Sequence, residues 1–243
     1  MNRLREARVV SMPGRSSVYR CLVRHNLVVP VARKRKRERE RYIRWERSRS
    51  MELWQMDIVG GVKLADGSEA KIVSGIDDHS RFVISAHVVE RATARPTCDA
   101  LVKAMRTYGV PEQILTDSGK VFTGRFGPGT GEVLFDRICR ENGIEHLLTA
   151  PRSPTTTGKI ERWHRTMLER FLTGKDFDSV ADTQAQLDAW VVTYNEDRPH
   201  RSIGNVPPIR RFELRPITED NPRAKPTVAD VDSTASMPAG ATR

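Results

Sequence analysis

The chain has 243 residues, 38% hydrophobic and 30% charged, enough for one ordinary soluble domain with an extension at each end. No apolar run approaches the roughly 18 to 20 residues of a membrane helix, and no apolar stretch with a small-residue cleavage site opens the chain, which leaves no case for a membrane span or for secretion. The net charge of +10 is uneven: residues 1–50 hold 16 basic and 4 acidic residues, and the remainder holds 25 basic and 27 acidic. Such a block either binds a polyanion by releasing its condensed counterions or is a solvated tail without a specific partner.

Within that arm, residues 16–25 carry Val18, Leu22 and Val23 at helical spacing, with Ser16 or Ser17 as N-cap and a stop at Asn26 and Pro30. The single short helix reads as the remnant of a helix-turn-helix. A highly charged linker, partly helical, covers residues 33–50. From Leu53 the pattern changes to alternation. LWQMDIVGGVKL is a first strand, a turn follows at Ala65-Asp66-Gly67-Ser68, residues 70–76 form a second strand and residues 81–89 a third. Three strands with short polar turns make an antiparallel meander. Residues 97–108 read as a helix with Leu101, Val102 and Met105 on one face, and residues 113–116 as a strand leading into Asp117. The Gly-rich residues 123–131 are a loop, residues 132–141 a helix ending at Asn142-Gly143, and residues 144–148 a fifth strand. Residues 151–158 form a loop, 159–172 a strong amphipathic helix and 180–195 a second long one; the polar stretch after Pro216 reads as a disordered tail. Cys21, Cys98 and Cys139, odd in number and widely spaced, give neither a disulfide framework nor a zinc spacing and read as ordinary, partly buried thiols.

The order of elements is that of an α/β protein with a five-stranded mixed sheet flanked by helices, a topology shared by ribonuclease H and its relatives. The domains follow: a basic, mainly helical N-terminal arm over 1–50, a core over 51–175, a helical extension over 176–215 and the tail over 216–243. Topology alone carries no chemistry.

Three acidic residues occupy positions that structure alone disfavours. Asp57 lies inside WQMDIV, where a strand carboxylate is costly to desolvate. Asp117 sits at the end of the fourth strand, where ligands gather in open sheets. Glu161 lies in the first turn of the helix 159–172. There Ile160, Trp163, Met167 and Phe171 form an apolar stripe with Leu168 at its edge, and Glu161 falls beside that edge. Taken singly, each acid has a bland reading as a satisfied strand Asp, a turn Asp or a helix-start Glu. Together they form a site whose like charges call for cations, and Mg²⁺ suits such a set of hard oxygens. Two ions about 4 Å apart would suit phosphodiester displacement.

At these residues the sequence resembles the integrase core of bacterial insertion-sequence transposases, relatives of retroviral integrase. The resemblance rests on ELWQMDIV, ILTDSGKVF, SPTTTGKIERWHRTM and YNEDRPHRSIGNVPP, and extends from about Arg41 to Phe212. It implies a ribonuclease-H-like fold and a catalytic triad of Asp57, Asp117 and Glu161 binding two Mg²⁺ or Mn²⁺. It also implies cleavage of DNA by water followed by strand transfer from the freed 3′-hydroxyl. The implied partners are element-end and target DNA and further copies of the chain, and the implied location is the bacterial cytoplasm at the nucleoid. Two departures stand out. Ser118 replaces the Asn usual after the second Asp, and the spacing of 44 residues from Asp117 to Glu161 exceeds that of retroviral integrases.

Candidate DNA contacts are Lys159, Arg162 and Arg165 around Glu161, Lys120 and Arg152 on loops, and Arg198 after the last helix. For Arg165 an intrahelical pair with Glu161 is an equal alternative. His164 reads as a packing histidine, Asp77 and Asp78 as turn residues, with a supporting place behind the triad as the alternative for one of them, and Trp54 and Trp163 as core. Two other functions compete with transposition: a ribonuclease-H-like nuclease, and a truncated, non-catalytic DNA-binding regulator.

Overall fold

A computed structural model of the chain describes residues 13–28, 45–124, 131–149 and 157–214. It divides into two compact units, Met1–Trp45 and Glu46–Arg243. In the first unit the described helix is α1, Arg15–Arg24, which has no buried residue. Its N-cap is Gly14, without a side-chain cap, so neither Ser16 nor Ser17 plays the capping role expected of them. Cys21 is exposed, whereas Cys98 and Cys139 are buried; all three are free thiols.

The second unit holds five strands, β1 (Leu53–Lys63), β2 (Glu69–Asp77), β3 (Val83–Val89), β4 (Gln113–Thr116) and β5 (Glu145–Leu148), in the order β3-β2-β1-β4-β5. The first three pair antiparallel and β4 and β5 run parallel to β1, as the short turns and the helical crossovers require. A bulge between Val59 and Val62 bends β1, and Gly61 supplies its backbone with φ +89. Among the described residues of the unit four α-helices flank the sheet: α2 (Ala94–Tyr108), α3 (Leu134–Glu141), α4 (Gly158–Met167) and α5 (Val180–Glu196).

The strands' period of two divides the core into two layers. On one face Trp54, Met56, Val73 and Ile84 pack with Leu101 and Met105 of α2 and Phe135 and Ile138 of α3. On the other face Ile72, Ile76, Val83 and Val88 meet Ile160, Trp163 and Met167 of α4 and Leu187 and Tyr194 of α5. The expected stripe on α4 is buried throughout, and Trp54 and Trp163 are both core residues. Its expected C-terminal half is not α-helical, however. Leu168–Leu172 forms a π-helical turn, which brings Phe171 and Leu172 into the core and leaves Leu168 exposed.

Residues 46–50, read from sequence as the end of a linker, belong to this unit. Arg211 donates to Glu46 Oε1 at 3.0 Å, and Ser50 Oγ donates to the carbonyl of Arg211 at 2.8 Å. Phe212 then stacks on Phe82 with ring centroids 4.1 Å apart. α5 lies along the outer edge of the sheet. Its Gln184 accepts from Val88 N at 2.7 Å and donates to Ala86 O at 3.0 Å. Its Asn195 accepts from Val83 N at 2.9 Å and donates to Val83 O at 3.1 Å.

Candidate active site

The site begins with the alternation of β1. Trp54, Met56 and Ile58 face α2 and α3, so Gln55, Asp57 and Val59 face α4. Parallel pairing sets Gln55 beside Leu115 of β4. Two residues further along each strand stand Asp57 and Asp117. Asp117 is exposed at the mouth of the loop, and its Oδ1 accepts from Gly119 N at 3.0 Å. A Cβ at position 119 would lie 2.9 Å from that oxygen, so glycine lets the loop turn back on the carboxylate. Glu161 is exposed in the first turn of α4, where its Oε1 accepts from Thr157 Oγ1 at 2.7 Å.

Asp57 feels the charges of both other carboxylates. Burial pushes the Asp57 carboxyl up to about 6. The Ile58 N–H, 2.8 Å from Oδ1, opposes the rise, while the charges of Asp117 and Glu161 add to it. The triad's expected shared metal ligation is not reached in this arrangement. No three His, Cys, Asp or Glu side chains among the described residues stand close enough to hold one ion, and Glu161 is engaged by Thr157. The donor set nevertheless fits a hard divalent cation, because its ligands would be carboxylate oxygens whose mutual repulsion such a cation relieves.

Behind the triad lies a second group, in which Ser74 and Gln55 are the members that the sequence pattern left unmarked. His164, one turn beyond Glu161, places Nε2 2.5 Å from Ser74 Oγ and Nδ1 3.7 Å from Asp57 Oδ2. Burial pushes this imidazole down to about 4, which keeps it neutral at pH 7. Asp78, expected in a turn, is fully buried. It accepts from Arg47 N at 2.9 Å, from Gln55 Nε2 at 2.8 Å and from the Lys159 ammonium. Gln55 in turn accepts from Ile160 N at 3.3 Å, so the start of α4 is tied to β1 and to the β2–β3 turn. Asp77 is also buried and caps the same turn through Ser80 N at 2.8 Å and Met51 N at 2.9 Å. Strand alternation was the available signal for Gln55, and the i, i+3 spacing from Glu161 was the signal for His164.

The basic candidates separate. Lys159 is turned inward onto Asp78 rather than toward solvent, because a buried carboxylate requires a partner. Lys120, Arg162 and Arg165 are exposed, and among the described residues none of them has an ion-pair partner. The alternative pair of Arg165 with Glu161 therefore does not form. Arg198 lies 5.6 Å from the centroid of the Tyr194 ring. Arg152 falls outside the described residues. No helix among the described residues is long and apolar enough to cross a membrane.

Known proteins resemble the chain in sequence and in fold. The integrase core domain is matched over residues 47–154 and again, by a second family of the same description, over residues 142–208. The "Insertion element IS476 uncharacterized 39.2 kDa protein" of Xanthomonas euvesicatoria is 29% identical over 194 residues, covering 79% of this chain and 53% of the relative. The "Insertion element IS407 uncharacterized 31.7 kDa protein" of Burkholderia multivorans is 27% identical over 173 residues, covering 71% of this chain and 59% of the relative. The chain thus spans little more than half the length of these relatives. Among solved structures, the HTLV-2 integrase catalytic core domain in complex with magnesium (trimeric form) superposes with a TM-score of 0.52 at 17% identity, covering 68% of this chain and 99% of that one. At that identity the likeness is one of fold, and it makes the five-stranded mixed sheet ribonuclease-H-like. The two matched regions join over residues 47–208, two thirds of the chain, and the chain belongs to the integrase core family.

Proposed function

We propose that the chain is a DNA transposase that cleaves phosphodiesters and transfers strands at a site built from Asp57, Asp117 and Glu161. The observation that carries this reading is a strand carboxyl, Asp57, pushed up first by burial and further by the charges of Asp117 after β4 and Glu161 on α4. Membership of the integrase core family and the insertion-element relatives support it.

Asp57, Asp117 and Glu161 would hold two Mg²⁺ or Mn²⁺ ions. When bound, such ions supply charge neutralisation at the attacking and leaving oxygens of an in-line displacement. Asp57 must give up its proton to serve as a ligand, and Glu161 must leave the Thr157 hydroxyl. In the first step a water oxygen bonds to phosphorus, the P–O3′ bond breaks, and a proton reaches the departing 3′-oxygen. In the second step that 3′-hydroxyl attacks a phosphodiester of the target, forming one P–O bond and breaking another. Bond energy is thereby conserved between the strands without a protein nucleophile. Lys120, Arg162, Arg165 and Arg198 are offered as phosphate contacts, with the basic arm as a further sequence-independent one. Lys159 is assigned to anchoring α4. Element-end and target DNA are the proposed partners, assembled by several copies of the chain at the bacterial nucleoid.

The test incubates labelled linear DNA carrying the flanking element ends with purified protein and Mn²⁺, with and without EDTA. Metal-dependent nicks and longer joined products, both lost in Asp117→Asn, are expected. Cleavage of RNA–DNA hybrids without joining would replace the reading by a nuclease. Salt-sensitive DNA binding without turnover would replace it by a non-catalytic binder.

A further inference from the structure

The imidazole of His164 occupies a position that core packing alone does not require. It sits on the same face of α4 as Glu161, one turn on, and reaches across to β1 and β2. Its Nε2 is 2.5 Å from Ser74 Oγ, a hydroxyl that is fully buried and also 3.1 Å from the carbonyl oxygen of Asp57. Its Nδ1 faces Asp57 Oδ2 at 3.7 Å, beyond hydrogen-bond length but within electrostatic reach. The other oxygen of that carboxylate, Oδ1, is already taken by Ile58 N at 2.8 Å. Each oxygen of Asp57 therefore has its own polar neighbour, Ile58 N on Oδ1 and the His164 ring on Oδ2.

A neutral ring carries one proton, and the surroundings choose where it sits. With the proton on Nε2, the Nδ1 lone pair would point at an ionised carboxylate, which is repulsive. With the proton on Nδ1, the N–H faces Oδ2, and the one hydroxyl proton of Ser74 turns from the Asp57 carbonyl oxygen at 3.1 Å to the shorter contact with Nε2. An ionised Asp57 thus selects the Nδ1–H form.

We infer that His164 is a positioning residue, which fixes the orientation of the Asp57 carboxylate through Nδ1–H while Ser74 holds the far side of the ring. The chain Ser74–His164–Asp57 also keys α4, and with it Glu161, to β1, so that the first and third carboxylates keep a fixed relation. Ser74 is not a nucleophile here, since it is fully buried in the sheet. The inference deepens the proposed metal-dependent reaction and rests on that reading. In metal sites, partners that orient a ligating carboxylate commonly change metal affinity by 10- to 100-fold when removed.

The experiment has two readouts. In the metal-free full chain, long-range ¹H–¹⁵N spectra of the histidine rings above pH 7 are expected to show His164 as the Nδ1–H tautomer, with that preference lost in Asp57→Asn. A ring found as Nε2–H in the wild type would overturn the proposal. Mn²⁺ binding is then followed by electron paramagnetic resonance, with thermal unfolding of each metal-free variant as a folding control. His164→Asn, whose amide overlies the Nδ1 position, is expected to retain Mn²⁺ affinity within about threefold. His164→Gln, whose amide reaches toward the Nε2 position instead, and His164→Ala are expected to lose about tenfold or more. Equal affinity of the Asn and Gln variants, or wild-type affinity in all three, would overturn the inference. If Asp57→Asn abolishes Mn²⁺ binding while the His164 variants do not weaken it, only the inference fails. If Asp57→Asn binds Mn²⁺ as well as the wild type, the proposed function fails with it.

Discussion

Replacing Asp57 by Asn is expected to make the metal-free protein more stable, by an amount that depends on pH. The carboxyl stands at about 6 instead of its ordinary 3.8, pushed up by burial and by Asp117 and Glu161. A rise of roughly two pH units corresponds to about 3 kcal/mol if unscreened. The side chain is 33% exposed, and discounting for solvent screening leaves about 1–2 kcal/mol. The sign follows from the direction of the shift. A carboxyl raised in the folded state favours folding only while protonated, so its stability is present below the ordinary value and is lost as the pH climbs through about 6. An amide at position 57 accepts from Ile58 N as before and carries no charge. The variant's advantage should therefore be full at pH 7.5, shrink between pH 6 and pH 4, and vanish near pH 4. In a chain of this size it corresponds to a midpoint roughly 3–6 °C higher. Thermal unfolding followed by circular dichroism at four pH values, in EDTA, measures it directly. An advantage that is absent at pH 7.5, or unchanged down to pH 4, would refute the claim that burial and two neighbouring charges raise the Asp57 carboxyl.

Other expectations follow from the same geometry. Metal-dependent nicking should fall as the pH drops through about 6, because Asp57 must be ionised to ligate; a pH–rate profile without a decline there would contradict this. Lys159→Ala leaves the buried Asp78 charge without its ammonium and should cost about 3 kcal/mol in urea unfolding, whereas Arg165→Ala on the exposed face should cost less than about 0.5 kcal/mol. Arg162→Ala and Arg198→Ala should each lower the slope of log affinity for DNA against log salt by about 1, with no change in the thermal midpoint, and an unchanged slope would remove that residue from the DNA path. Asn195→Ala should cost about 1–3 kcal/mol, since it strands both the N–H and the carbonyl of Val83.

Much of the scaffold could be read from residue pattern, and the reason is physical. Alternation in LWQMDIVGGVKL and the helical stripe Ile160, Trp163, Met167 and Phe171 each record which side of an element meets the core, and that information is local. The position of each acid in its element was legible for the same reason. The partners were not. Asp78 stands next to Asp77 among residues that favour turns, and its burial depends on Arg47, Gln55 and Lys159, which lie 23 to 81 residues away in sequence. Lys159 looks like a phosphate ligand beside Glu161 until the buried carboxylate opposite it is known. The rotation of His164 toward Ser74 is likewise a tertiary fact. The π-helical turn at Leu168–Leu172 was hidden because a helical period continues smoothly through it, and only the simultaneous burial of Phe171 and Leu172 calls for an extra residue in the turn.

The amide side chains of Gln184 and Asn195 carry a consequence for how far this protein can be trimmed. A fragment ending at residue 175 would keep Asp57, Asp117 and Glu161, and on paper would be a complete catalytic core. It would also bare the outer edge of β3, with the backbone groups of Val83, Ala86 and Val88 left facing water. A naked edge of that kind recruits strands from other molecules and leads to aggregation. The smallest well-behaved piece therefore extends through Asn195, and α5 acts as the sheet's selvedge, a border woven from side chains that keeps one copy from unravelling into the next.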